Sequence, residues 1–159
     1  MAKSRIDKVL VAVDGSAESL EAAKYAAELV RALNPKVAVM HVVPNPDIPV
    51  SASPVGTSTL GPDDEVAIER ALWDGAQAIL DRNMEPFRQA GVQVEGVMAS
   101  GDPAREIVDF ARKGRYDLLV VGSRGEGAVE RALLGSTSDA VVRESPCPVL
   151  VVRRGARAR

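Results

Sequence analysis

Apolar residues gather in five short runs, and the stretches between them repeat at helical spacing. Residues 6–13 (IDKVLVAV) are apolar and β-branched almost throughout and stop at Asp14-Gly15, as expected of a strand buried on both faces. Ser16 can cap a helix, and Ala23, Ala26, Ala27, Val30 and Leu33 continue from Leu20 at helical intervals until Asn34-Pro35. A second buried strand is predicted at 36–43. Residues 44–62 hold five prolines among serines and threonines, too many fixed dihedrals and lost donors for a helix or a central strand. A long mobile surface loop is expected there. A helix follows over about 63–90, with Val66, Leu72, Ala76, Ile79 and Phe87 inward, Trp73 as a packing residue and a kink at Pro86.

Residues 92–100 (VQVEGVMAS) alternate like a half-exposed strand and close at Gly101. Asp102-Pro103 supplies an N-cap and a pre-set first residue for a helix over 104–113. A fourth strand is predicted at 116–121, a last helix continuing over 139–144, and a fifth strand at 148–152 after Pro146. Alternation of strands and helices without hairpins means a parallel α/β sheet with helices on both faces. Ligands of such sheets bind outside the carboxyl ends of the strands, which is where Asp14, Val42 and Gly122 fall.

Length and composition narrow the function classes. A chain of 159 residues fits a single domain, 1–159, and with 46% apolar but 3% aromatic residues its core is aliphatic. A net charge of −2 gives no basic field for nucleic acid. Arg153, Arg154, Arg157 and Arg159 read as a solvated chain end. The single cysteine, Cys147, allows no intrachain disulfide and reads as a small buried residue between two prolines. No leader-like stretch and no apolar run of membrane-spanning length is present, so no membrane partner and a cytoplasmic location are expected.

The candidate chemistry lies after the fourth strand, in GSRGEGAVERALLGSTS at 122–138. It is not a P-loop, because no Gly-Lys-Ser/Thr follows at the required interval, and Glu130 stands where a dinucleotide fingerprint needs a third glycine. Gly122 and Gly125 let the backbone turn tightly and approach a ligand. Gly135, Ser136, Thr137 and Ser138 precede a helix whose first N–H groups have no helical partner, which with the dipole and hydroxyls suits phosphate. Arg124 or Arg131 adds positive charge, opposed by Glu126 and Glu130. The same residues also suit a plain surface turn with Ser136 or Thr137 as a helix cap.

Gly122, Gly125, Gly135 and Ser136 fit the spacing Gly-x2-Gly-x9-Gly-Ser/Thr, and in this the chain resembles the ATP-binding branch of the universal stress protein family. VLVAVDGSAES, MHVV and SPCPVLVV are similar to the family's first, second and last strands. The resemblance implies an adenine nucleotide alpha-hydrolase-like fold, a five-stranded parallel sheet in the order 3-2-1-4-5. It places Ala12, Val13 and Asp14 at the adenosine end, with the Asp14 carboxylate accepting from ribose hydroxyls, although Asp14 also suits a turn residue. Val42 would read adenine through its main chain, and His41 beside it would be structural. Gly122, Ser123, Arg124 and Gly125 would line the ribose and α-phosphate, and Gly135, Ser136 and Thr137 the outer phosphates. Arg124 stands where relatives commonly carry histidine. Mg²⁺ would arrive with ATP, bound through its phosphates.

No nucleophile, catalytic base or P-loop lysine is apparent, so catalytic residues are not expected. The leading expectation is an ATP-binding stress-response sensor or regulator with little or no hydrolysis, paired as a homodimer through the last strand. The alternatives are an adenylating or nucleotide-hydrolysing enzyme on a related fold, and a nucleotide-free dimeric scaffold.

Overall fold

A computed structural model of the chain describes residues 5–45, 61–124 and 134–155. Five strands form one parallel sheet: β1 (Lys8–Val13), β2 (Lys36–Val43), β3 (Val94–Ser100), β4 (Leu118–Gly122) and β5 (Val149–Val152). Their order is β3-β2-β1-β4-β5, as the resemblance implies. The helices are α1 (Ala17–Val30), α2 (Pro62–Gln89), α3 (Pro103–Gly114) and α4 (Ser136–Glu144).

Successive strand residues point to opposite faces, and the sheet uses this to build two separate cores. Val9, Val11, Val37 and Val39 pack with Ala22, Ala26, Leu80 and Phe87 of α1 and α2. Leu10, Ala38 and Met40 pack on the other face with Ile107, Ala111 and Val141 of α3 and α4. The central strands therefore need apolar residues at every position, which is why their sequences lack alternation.

Several expected details shift. The first helix ends at Val30 rather than near Pro35, and Leu33 is 49% exposed because it lies past the last turn. Val66 and Leu72, expected inward, are exposed, since α2 becomes buried from Ala76 onward, where it lies over the sheet. Trp73 is half-buried, and α2 runs through Pro86 to Gln89. Most of the expected loop at 44–62, from 46 to 60, lies outside the described residues, but Pro62 belongs to α2 as its first residue. The Asp64 carboxylate accepts from the Gly61 N–H just before it at 3.0 Å. Cys147 is half-buried against the second core, and its N–H donates to Ser145 Oγ at 3.3 Å.

β4 starts at Leu118, two residues after its predicted start at Tyr116. Arg115 ends α3 in the left-handed region at φ 52°, and the Asp117 carboxylate accepts from the N–H groups of Asp7 and Lys8, both at 2.9 Å. The Tyr116 N–H is still held by the Ala111 carbonyl of α3 at 3.1 Å, so pairing with β1 begins only after it, with the Asp117 N–H donating to the Lys8 carbonyl at 2.9 Å. Tyr116 instead packs on Phe110 with ring centres 5.6 Å apart, beneath Lys8 Nζ at 5.7 Å. Burial, with the Glu95 charge adding to it, raises the Tyr116 pKa above the ordinary tyrosine value. The folded chain thus holds this proton more firmly, and the resulting stability is complete below the unfolded pKa of about 10 and lost as pH rises through the folded value. Tyr116→Phe is expected to flatten the alkaline decline of the melting temperature, and an equally steep decline in the variant would contradict this origin.

Candidate functional site

A cleft of 430 Å³ opens at the carboxyl ends of the strands, at the switch point where β1 is followed by β2 on one side and β4 lies on the other. Its first wall is the turn after β1. Asp14 Oδ1 accepts from the Ser16 N–H at 2.9 Å, and Ser16 Oγ caps α1 by accepting from the Ser19 N–H at 3.1 Å. Gly15 sits at φ 87°, where a Cβ would also lie 2.9 Å from Ile79 Cδ1 of α2. Asp14 is therefore both a turn residue and a cleft residue, alongside Ala12 and Val13.

The second wall is the end of β2. Pairing with β1 stops at Val13–His41, whereas pairing with β3 continues through Val42–Ala99 and Val43–Ser100. The Val43 carbonyl accepts from the Gly101 N–H at 3.1 Å, on the β3 side. The two-residue period of a strand turns the main chain of Val42 toward β1: its N–H belongs to the last rung, at Val13–His41, and its C=O lies past that rung, at the edge that β1 has vacated. Val42 lines the cleft. His41, also in the lining, is buried, and its Nδ1 lies 2.8 Å from the Val13 carbonyl. A carbonyl only accepts, so Nδ1 carries the proton and ties β2 to β1. That is the structural part expected of it.

The third wall is the start of α4, which begins at Ser136 with Gly135 as N-cap, three residues before the stretch predicted as helix. Ser136, Thr137 and Ser138 thus occupy the first turn, and Gly135 has no side chain with which to cap it. Among the described residues, no partner for these N–H groups is found in the backbone or side-chain hydrogen bonds. They carry the positive end of the helix dipole. The Ser138 hydroxyl donates to the Gly122 carbonyl at 2.7 Å, tying α4 to β4.

Gly122, Arg124, Gly135, Ser136 and Thr137 all line the cleft. Two expected contributions differ. Ser123 is buried and points away: its N–H donates to the Val152 carbonyl and its hydroxyl to Glu18 Oε2, both at 2.9 Å. The Gly135 N–H already donates to the Ser123 carbonyl at 2.8 Å, so the amides from Ser136 onward carry any anion contact. Gly125, with Glu126, Glu130 and Arg131, lies outside the described residues. Gly122 has an unexpected reason to be glycine, since a Cβ there would lie 3.2 Å from the main chain of Glu18 and Ser19.

Sequence reasoning passed over the apolar walls, Ile79, Pro103 and Ile107. Pro103 follows Gly101-Asp102 at the carboxyl end of β3, and Ile107 is one turn further along α3. Their signal was topological: every residue at that end of the sheet is a candidate wall. Apolar sides with few convergent polar groups are the usual make-up of a small-molecule site.

The model of the universal stress protein family matches residues 5–153. The chain belongs to the universal stress protein family. Universal stress protein MJ0531 of Methanocaldococcus jannaschii is 36% identical over 148 residues, covering 92% of this chain and 82% of the relative. Among solved structures of the family, one in complex with cAMP superimposes with a TM-score of 0.67 at 27% identity, covering 94% of this chain and 98% of the other. An Arabidopsis thaliana member with AMP bound gives a TM-score of 0.66 at 26% identity, over 94% and 92% of the two chains. No described helix is long and apolar enough to cross a membrane.

Proposed function

We propose that the chain is a cytoplasmic, ATP-binding universal stress protein in which nucleotide occupancy regulates conformation or assembly, with little or no hydrolysis. The observation that carries this is the convergence of three different kinds of group on one cleft: the open main-chain edge of Val42, the Asp14 carboxylate and the first-turn amides of α4. They match the three parts of an adenine nucleotide in kind. The amino group of adenine donates to a main-chain carbonyl, ribose hydroxyls donate to a carboxylate, and phosphates accept from helix-terminal N–H groups. The cAMP and AMP held by two structural relatives belong to the same ligand class. The volume of 430 Å³ falls within the range of small-molecule sites.

Regulation is favoured over catalysis by what surrounds the phosphates. Among the described lining residues there is no lysine, and Asp14 and His41 both hold main-chain partners. Mg²⁺ would enter with the nucleotide, and its chemistry would be to screen the phosphate charge. Nucleotide would then act by binding one state of the protein more tightly than another. The half-buried apolar edge strand β5 supports a two-fold homodimer through that strand, which a monomeric mass in dilute solution would overturn.

Mass spectrometry of nucleotide released from freshly purified protein is expected to find ATP or a related adenine nucleotide. Calorimetry at millimolar ATP checks the same point, and no heat of binding there would leave the scaffold alternative standing instead. Rapid, acceptor-stimulated release of AMP or ADP in a single turnover would favour the enzyme.

A further inference from the structure

A second concavity of 500 Å³ lies between α3 and α4, and Ser136 and Thr137 line both it and the cleft. The start of α4 is therefore a shared rim. A phosphate held on its amides faces the adenosine pocket on one side and this groove on the other. A group esterified to that phosphate would have this groove beside it.

The lining describes what that group is. Arg105 on α3 and Glu144 on α4 face the groove from opposite walls. Neither of these side chains takes part in an ion pair or hydrogen bond among the described residues. Arg112 and Asp109 also line it, joined by an ion pair of 3.1 Å that leaves further donor and acceptor positions on both. Asp102 contributes a third carboxylate, occupied in part by capping the Arg105 N–H at 2.9 Å. Three acids against two bases disfavour additional phosphates. Interleaved donors and acceptors suit hydroxyls, which both donate and accept. Ala104, Val108 and Ala140 add short apolar side chains for the C–H face of a ring.

We propose that, besides ATP, the site takes an adenosine diphosphate whose second phosphate carries a sugar, with the sugar seated between α3 and α4. This rests on the nucleotide assignment of the cleft and extends it to a second ligand class.

Calorimetry on the full chain with ADP and with ADP-ribose tests it. ADP-ribose is expected to bind at least about tenfold more tightly than ADP. Ala140→Arg, which fills the groove from α4, and Glu144→Ala, which removes its acceptor, are each expected to abolish that difference while leaving ADP affinity within about twofold. Equal affinities of the unmodified protein for the two ligands would overturn the proposal, as would a preference that survives both substitutions. If no adenine nucleotide binds, ADP included, the assignment of the cleft itself fails. If ADP binds and ADP-ribose is no better, the groove alone is refuted.

Discussion

Ser136→Pro is expected to weaken ATP binding by about 10- to 100-fold, the worth of one hydrogen bond to a charged group, with little change in melting temperature. Ser136 is the first residue of α4, where the N–H has no helical partner and proline's fixed φ suits the helix. Proline also restricts the residue before it to extended conformations. Gly135 already has φ −69° and ψ 163°, so the backbone accommodates the change without strain. The substitution removes a main-chain donor from the shared rim and leaves the helix in place. Ser136→Ala, which removes the hydroxyl but keeps the amide, is the control and is expected to have the smaller effect. ATP affinity unchanged in Ser136→Pro, measured by calorimetry on protein of unaltered melting temperature, would remove α4 from the proposed phosphate site.

Gly122→Val is expected to cost about 1–3 kcal/mol of stability, the usual range for overpacking, and to weaken nucleotide binding with it. The Cβ would lie 3.2 Å from the Glu18 carbonyl carbon and oxygen and from the Ser19 nitrogen. These are main-chain atoms of the first turn of α1, which Ser16 caps, so relief requires moving the helix. A flexible side chain would yield more easily. The Gly122 carbonyl accepts from Ser138, and displacing it also disturbs the start of α4. Chemical denaturation measures the loss, and Gly122→Ala is expected to fall between glycine and valine. A valine variant as stable as the original would mean that α1 shifts at negligible cost.

Fold and site were legible in the sequence to different depths. The two-sided cores explain why continuous runs such as VLVAV and LLVV announced central parallel strands, and the strand–helix alternation then placed Asp14, Val42 and Gly122 at one end of the sheet. The ends of elements were less legible because contacts made in the folded chain decide them: the Tyr116 N–H is held by α3, delaying β4, and α2 extends beyond the sheet that buries its second half. Gly122 shows a deeper limit. Its lack of a side chain is visible in the sequence, but the need to accommodate α1 is a long-range contact that no local motif encodes. Ser123 reads like its neighbours in the glycine segment, yet its hydroxyl is committed to Glu18, a residue far away in sequence.

The unequal lengths of β1 and β2 carry a consequence for how ligand choice can change. In the proposed nucleotide complex the group that Val42 would offer to a base belongs to the peptide backbone, so exchanging its side chain for another of similar bulk would leave base discrimination almost intact. Insertion or deletion of a residue near the end of β2 would be far more disruptive, since a shift of one position reverses which way each peptide group faces. Under the proposed nucleotide reading, base preference would thus be written in chain length, and lineages altering it would be expected to differ by indels there before they differ by point substitutions.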